Sequence, residues 1–72
     1  MGFHEKLREL RKQANLKQRE MSEKLGIDRS TYAYYETGKS KPSLIVLCKI
    51  ADVFDVSTDY LLGRDDVPKR KD

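Results

Sequence analysis

Apolar residues in this 72-residue chain recur at intervals of three and four, which is the period of an α-helix. The first series consists of Phe3, Leu7, Leu10 and Ala14, and charged residues fill most of the positions between them. This spacing predicts an amphipathic helix at the beginning of the sequence. Apolar and polar residues show no convincing alternation of the β-strand type. The pattern therefore predicts an all-α protein.

Capping and turn residues divide the remaining sequence into four more helices. The second helix begins at Lys17, which offers no capping oxygen, and ends at Gly26. The third extends from Arg29 to Glu36 or Thr37, and Asp28 is expected to cap it. Gly38 stops this helix, and the segment "GKSKPS" forms a loop.

The fourth and fifth helices follow Ser43 and Ser57, which are expected to be their N-caps. The fourth carries an apolar stripe for the core: Leu44, Leu47, Cys48, Ile50, Ala51 and Phe54. In the fifth, which ends at Gly63, we expect Leu61 and Leu62 to close the core and Tyr60 to be exposed. We predict a compact five-helix bundle over residues 1–63 and a disordered charged tail over residues 64–72, because the tail has too few apolar residues to offset its ordering entropy.

Three tyrosines lie within four positions of the third helix, "RSTYAYYET". At helical spacing Tyr32 and Tyr35 face the first two helices and belong to the core. The opposite face carries a guanidinium, a hydroxyl, a methyl and a phenol. Two short helices joined by a tight turn form a helix-turn-helix, and its second helix can lie in the major groove of DNA. Because such groups can contact base edges there, we predict these base-reading residues: Arg29, Ser30, Ala33 and Tyr34.

The charge distribution favours a polyanionic partner for the first half of the chain. Residues 1–41 contain ten Lys or Arg and six Asp or Glu, whereas residues 42–72 contain five and six. A basic face of this kind attracts nucleic acid or an anionic membrane surface. An ordinary solvated surface would carry the same net charge of +3. RNA is an open alternative, although the sequence lacks the expected stacking platform.

Several other functional classes are not supported by the sequence. A single cysteine forms no internal disulfide, and one cysteine with one histidine builds no metal site, so Cys48 and His4 are expected to be structural. Paired carboxylates at a useful spacing, an activated nucleophile and a phosphate-binding glycine motif are all missing, so we expect neither an enzyme nor a cofactor. An apolar run of ~18 residues and a signal peptide are also missing. We expect a cytoplasmic protein that has no membrane partner.

The stretch "QREMSEKLGIDRSTYAYYETGKSKPSL" resembles the Cro and phage-repressor (XRE-type) family of helix-turn-helix transcription regulators. The resemblance extends upstream through "LRELRK" and downstream through "VSTDYLLG", and so covers roughly residues 3–63. It implies the λ-repressor-like fold and a bacterial or phage origin. Its motifs are specific for the fold and much less so for the DNA sequence that is bound.

The resemblance also implies roles for individual residues. Arg29, Ser30 and Tyr34 match base-reading positions, and Arg11 and Glu36 match a partly buried ion pair that joins the first and third helices. Gln18 matches a residue that donates to a phosphate or a base at the edge of the groove. The candidate contacts with phosphates or the groove edge are these: Lys17, Gln18, Arg19, Thr37, Lys39 and Lys41.

Two departures from the family pattern affect the expected function. Lys17 replaces the usual Ser or Thr cap, which makes the start of the second helix weaker. Ile45 and Val46 replace residues that are commonly polar, so we expect them, with Tyr60, to form a dimer or partner surface.

The function expected from all this is a sequence-specific regulator of double-stranded DNA. It would act as a repressor that binds a palindromic operator as a homodimer through the major groove. The alternative is an antitoxin or immunity-type protein that binds a protein partner through the Ile45 surface and autoregulates its operon.

Overall fold

A computed structural model describes residues 2–68. It contains five α-helices: α1 (Phe3–Gln13), α2 (Gln18–Leu25), α3 (Arg29–Thr37), α4 (Leu44–Phe54) and α5 (Thr58–Leu61). This stretch of the chain contains no β-strand. The prediction of an all-α, five-helix fold is confirmed. Helices α2 and α3 pack against each other, α1 packs against α3 and α5, and α4 packs against α2 and α5.

Most of the predicted helix ends have the expected capping geometry. Ser43 Oγ accepts a hydrogen bond from Val46 N at 3.2 Å, and Ser57 Oγ accepts one from Tyr60 N at 3.0 Å. Asp28 does occupy the N-cap position of α3, but its side chain forms no capping hydrogen bond within the described residues, so that prediction is wrong. Its side chain is exposed, so water can satisfy both the carboxylate and the first amides of the helix.

The core lies between the helices and includes both predicted tyrosines. Tyr32 and Tyr35 are buried, with ring centroids 6.4 Å apart and planes at 75°, an edge-to-face contact of the kind aromatic pairs prefer. The other buried apolar residues come from α1, α2, α4, α5 and the α4–α5 loop: Leu7, Met21, Leu25, Ile50, Ala51, Val56 and Leu61.

Several residues that we expected in the core lie at the surface instead. Leu44 is 81% exposed, Leu62 is 46% exposed and Cys48 is exposed. Leu44 and Leu62 both line a surface groove instead of a filled interior. Ala14 is also exposed, because α1 ends at Gln13 and Ala14 is its C-cap.

Tyr60 differs from expectation in the opposite direction, since it is partly buried and packs against the core. The ammonium of Lys6 on α1 lies 4.0 Å from the centroid of its ring. This cation–π contact covers the ring that we expected to be exposed.

Residues 64–68 continue beyond α5 along its surface. Arg64 N donates to the carbonyl of Asp59 at 2.8 Å, and Ser57 N donates to the carbonyl of Pro68 at 3.0 Å. Residues 69–72, the remainder of the predicted tail, lie outside the described residues. Disorder of the segment 64–72 therefore stays a prediction.

Candidate nucleic-acid interface

The turn between α2 and α3 sets the direction in which α3 leaves the bundle. Gly26 ends α2 with φ +70°, a left-handed conformation that glycine adopts without strain. Ile27 N then donates to the carbonyl of Ser22 at 3.0 Å, and the Ile27 side chain packs against the core. Because the turn is bonded to α2 and anchored in the core, α3 is held in one orientation.

The outward face of α3 carries the predicted base-reading residues. Arg29 and Ser30 are exposed in the first turn, and Tyr34 is 42% exposed one turn later. Ala33 is partly buried. This face therefore presents a guanidinium, a hydroxyl and a phenol, which are groups able to form hydrogen bonds with base edges.

A second group of candidate residues gathers where α3 ends. The ammonium of Lys39 lies 4.5 Å from the centroid of the Tyr34 ring. Thr37 Oγ1 donates to the carbonyl of Tyr34 at 3.2 Å and accepts from Lys39 N at 3.4 Å. The exposed Lys41 follows in the same loop. The structure thus joins Tyr34, a predicted base reader, to Thr37 and Lys39, two predicted backbone contacts.

A cationic pocket of about 390 Å³ lies beside the start of α2 and α3. Four cationic side chains and one amide line it: Arg11, Lys17, Gln18, Arg19 and Arg29. Arg11 is ion-paired with Glu36, and the other three cations around this depression raise the local concentration of anions. The pocket brings three predicted edge contacts at the start of α2 next to Arg29 of α3, although Lys17 and Arg29 are twelve positions apart in the sequence.

The Glu36 carboxylate, which is 2% exposed, joins α1, α2 and α3 beneath this surface. Its Oε2 accepts from Arg11 Nε at 2.6 Å and from the hydroxyl of Tyr32. Its Oε1 accepts from Arg11 Nη2 at 3.0 Å and from Gln18 Nε2 at 3.2 Å. Arg11 Nη1 also donates to the carbonyl of Leu16 at 2.8 Å, which ties the α1–α2 loop to the same group.

These contacts perturb the protonation of the groups involved. Burial alone would raise the pKa of Glu36, but the hydrogen bonds from Arg11, Tyr32 and Gln18 outweigh burial and lower this pKa below its ordinary value. Burial, followed by the hydrogen bond to Glu36, raises the pKa of the Tyr32 hydroxyl. The network therefore contains a charged Glu36 and a neutral Tyr32 at neutral pH.

Sequence reasoning missed two members of this network. The resemblance implies the pair of Arg11 and Glu36, but it gives no reason to connect Gln18 or the Tyr32 hydroxyl to Glu36. Tyr32 and Glu36 are four residues apart on one helix, a spacing that permits contact and could have been noticed. Gln18 and Glu36 are eighteen residues apart, and no local pattern reports a contact at that separation.

Of the predicted partner surface, only Ile45 is well exposed, and the exposed Leu44 adds an apolar residue beside it. Ile45 is 72% exposed, whereas Val46 and Tyr60 are partly buried and pack against the core. The exposed Leu44 adjoins Ile45 and borders an apolar groove of about 700 Å³. The groove also includes Phe3, Leu47 and Leu62.

Residues 2–68 contain neither a metal-binding cluster nor a membrane-spanning helix. Within residues 2–68 no cluster of three or more His, Cys, Asp or Glu side chains is arranged to hold a metal ion. None of the helices in that range combines the length and the apolar character needed to cross a lipid bilayer.

Comparison with known proteins identifies the family of this fold. A family model described as helix-turn-helix matches residues 7–61. The chain belongs to this helix-turn-helix family. The match confirms the resemblance to the Cro and phage-repressor type of regulator, and this family is not a class of enzymes.

Relatives within the helix-turn-helix family include regulators from different bacteria. The chain is 48% identical over 61 residues to the transcriptional regulator AnsR of Bacillus subtilis, covering 85% of this chain and 53% of AnsR. It is 39% identical over 64 residues to the cryptic phage CTXphi transcriptional repressor RstR of Vibrio cholerae, covering 89% of this chain and 57% of RstR. The chain thus spans little more than half the length of these curated relatives.

A solved helix-turn-helix structure has the same fold at low sequence identity. The P22 c2 repressor, crystallised in complex with a synthetic operator, superimposes with a TM-score of 0.84. The match covers 90% of this chain and 98% of that one, at 23% identity. It supports the λ-repressor-like architecture of the five helices.

Proposed function

We propose that this protein is a transcription regulator that binds double-stranded DNA in a sequence-specific manner and inserts α3 into the major groove. Two features that lie together on one side of the molecule support the proposal. The exposed face of α3 carries Arg29, Ser30 and Tyr34, and the cationic pocket borders the same helix. The first feature suits base edges, and the second suits the phosphates that flank them.

The roles within this interface follow from the chemistry of each group. Arg29 would bind guanine O6 and N7 through two parallel hydrogen bonds, while Ser30 donates or accepts and Ala33 leaves room for close approach. Tyr34 would contact a thymine methyl or a phosphate. Backbone contacts are assigned to these residues: Lys17, Gln18, Arg19, Thr37, Lys39 and Lys41.

We further propose that the protein acts as a repressor and binds a palindromic operator as a homodimer. A single module of this kind buries only ~600–1,000 Å² on DNA, so occupancy at physiological salt usually needs a second module. The two half-sites would lie about one helical turn, ~34 Å, apart. RstR is named as a transcriptional repressor, and steric exclusion of polymerase from the operator would be the corresponding mechanism here.

The proposed dimer surface is the exposed apolar pair of Leu44 and Ile45 at the start of α4. Apolar side chains that are 81% and 72% exposed are stabilised by burial against a partner. In the proposed homodimer, that partner is a second copy of the chain. The same observation supports the alternative of an antitoxin or immunity-type protein that binds an unrelated protein. Because DNA is the proposed ligand, we place the protein in a bacterial cytoplasm.

Selection from a random duplex library tests the proposed function. The selected sequences should contain a recurring motif with two-fold symmetry, and footprinting at a defined salt concentration should show protection over both half-sites. Recovery of sequences without any common motif would contradict sequence-specific binding. Stoichiometric co-purification of a different protein from the native host would favour the antitoxin-type alternative.

A further inference from the structure

Gln18 connects the buried carboxylate of Glu36 to the cationic pocket. It is the first residue of α2, it is partly exposed, and its side chain contributes to the wall of the pocket. Its amide nitrogen Nε2 donates to Glu36 Oε1 at 3.2 Å. A residue that is assigned to DNA contact is therefore held from behind by a residue that is 2% exposed.

The carboxylate of Glu36 determines which end of the Gln18 amide lies next to it. An ionised carboxylate has only acceptors, whereas the Gln18 amide has an acceptor oxygen and a nitrogen with two N–H bonds. The flipped amide would place its oxygen against Glu36 Oε1, and two acceptors would then face each other. Arg11 Nη2 holds this same Oε1 at 3.0 Å, so the carboxylate cannot easily turn away.

We propose that Glu36 is a positioning residue for DNA binding, which holds the amide nitrogen of Gln18 at the cationic pocket so that its second N–H donates to a DNA phosphate. Phosphate oxygens only accept, and therefore they need a donor at this position. An unrestrained amide would rotate between two orientations. In one of them it would present its oxygen, instead of its nitrogen, to the phosphate. This inference rests on the proposed function, because it requires DNA to bind at the pocket.

A double-mutant cycle separates positioning from a general structural role. Glu36→Gln preserves the size of the side chain. With its oxygen at the Oε2 position it still accepts from Arg11 Nε, and its new amino group at the Oε1 position can donate to the Gln18 oxygen and so permits the flip. The acceptor of Arg11 Nη2 is lost in both backgrounds of the cycle, so the comparison cancels this loss. The four proteins of the cycle are wild type, Glu36→Gln, Gln18→Ala and the double variant. Affinity for one selected duplex is measured for each by fluorescence anisotropy at a single salt concentration.

We expect Glu36→Gln to weaken DNA binding about three- to tenfold when Gln18 is present, which corresponds to losing the order of one polar side chain. In the Gln18→Ala background the same substitution should change affinity by less than about twofold, because the side chain that Glu36 positions is gone. An equal loss of affinity in the two backgrounds would overturn the proposal, since Glu36 would then act through the fold alone.

Tyr32→Phe provides the matched control. It removes the hydrogen bond to Glu36 Oε2 and leaves the bond between Gln18 and Oε1 in place. We expect lower stability but unchanged DNA affinity, with folding of every variant verified by circular dichroism at the assay temperature. A loss of affinity equal to that of Glu36→Gln would assign the effect to the integrity of the network and would contradict the proposal.

One measurement on the wild-type protein remains informative even if the Glu36 variant does not fold. Nuclear magnetic resonance can follow the two side-chain amide hydrogens of Gln18 during titration with the duplex. We expect a marked shift in the resonance of the hydrogen that is not bonded to Glu36, and unshifted resonances at saturation would overturn the inference. Failure of the wild type to bind any selected duplex would instead refute the proposed function.

Discussion

At the scale of single residues, Glu36 is the side chain on which the most contacts converge. Its two oxygens accept four hydrogen bonds from three residues, which belong to α1, α2 and α3. Removing one partner of such a buried pair leaves an uncompensated charge, which is more destabilising than the pair is stabilising. The network therefore fixes the positions of α1, α2 and α3 relative to one another.

The perturbed pKa of Glu36 predicts how stability depends on pH. This pKa is lowered from 4.5 in the folded protein, so the unfolded state takes up the proton first as the pH falls. The contribution of Glu36 is therefore fully present above about pH 4.5 and is lost as the pH falls through the folded-state pKa. Urea denaturation of wild type and Glu36→Gln between pH 7 and pH 3 measures this.

We expect the free energy of unfolding of the wild type to approach that of Glu36→Gln as the pH falls. The comparison with the variant removes the contributions of other carboxylates, which the two proteins share. A difference between the two proteins that stays constant from pH 7 to pH 3 would contradict the assignment of Glu36 as a charged member of the network.

At the scale of helices, the sequence predicts most of the fold, because the helical period and the stop residues are local properties. The end of α3 follows from Gly38, and Asp28 marks its start as the N-cap residue although its side chain forms no capping hydrogen bond. The outward face of that helix follows from the angle of ~100° between successive residues, which separates Tyr34 from Tyr32 and Tyr35.

The errors arise where the outcome depends on neighbours that are distant in the sequence. Leu44 continues the apolar stripe of α4, yet it borders an open groove, because the sequence does not tell which part of the stripe another helix covers. The bond from Gln18 to Glu36 is equally invisible to a periodic pattern. The site residues that follow the helical period were therefore predictable from the sequence. The hydrogen bonds between helices that hold them in place were not.

The start of α2 offers a prediction at this scale. Lys17 occupies the N-cap position in an extended conformation, and its backbone N already donates to Glu20 Oε1 at 2.8 Å. Lys17→Ser would add the missing acceptor and complete a capping box. We expect the free energy of unfolding to rise by ~0.5–2 kcal/mol relative to Lys17→Ala, measured by thermal or urea denaturation.

Both substitutions remove the same positive charge from the cationic pocket, so Lys17→Ala is the control for charge. If Lys17 contacts a phosphate, both variants should weaken binding to all duplexes alike and reduce the slope of log K against log salt by about one unit. Weaker binding by Lys17→Ala alone would show that the stability of α2, and not the charge, limits DNA affinity.

At the scale of the whole molecule, the charges and the apolar surface lie in different parts of the chain. The excess of positive charge belongs to residues 1–41, which include the helix-turn-helix, whereas residues 42–72 have one more acidic than basic residue. The exposed Leu44 and Ile45 lie in this second part. The described domain measures 30 × 23 × 20 Å, and its longest dimension is close to the ~34 Å that separates half-sites one helical turn apart.

Self-association through α4 is tested by Ile45→Gln. The substitution should shift the mass measured by light scattering toward the monomer and weaken binding to the symmetric duplex more than binding to a single half-site. Val67→Gln is the control, because Val67 is also an exposed apolar residue and lies outside the proposed surface. Equal masses for Ile45→Gln and wild type, both of them dimeric, would contradict a dimer surface at Ile45.

The central claim is that α3 reads DNA sequence, and the most direct test measures Arg29→Ala on specific and random duplexes at one salt concentration. Arg64→Ala, which removes the same type of side chain from an exposed position beyond α5 and outside both proposed surfaces, is the control. We expect Arg29→Ala to lose ~1–3 kcal/mol on the selected duplex and much less on random DNA, with relaxed preference at one base pair. An equal loss on both kinds of DNA would contradict the claim that Arg29 on α3 reads a base.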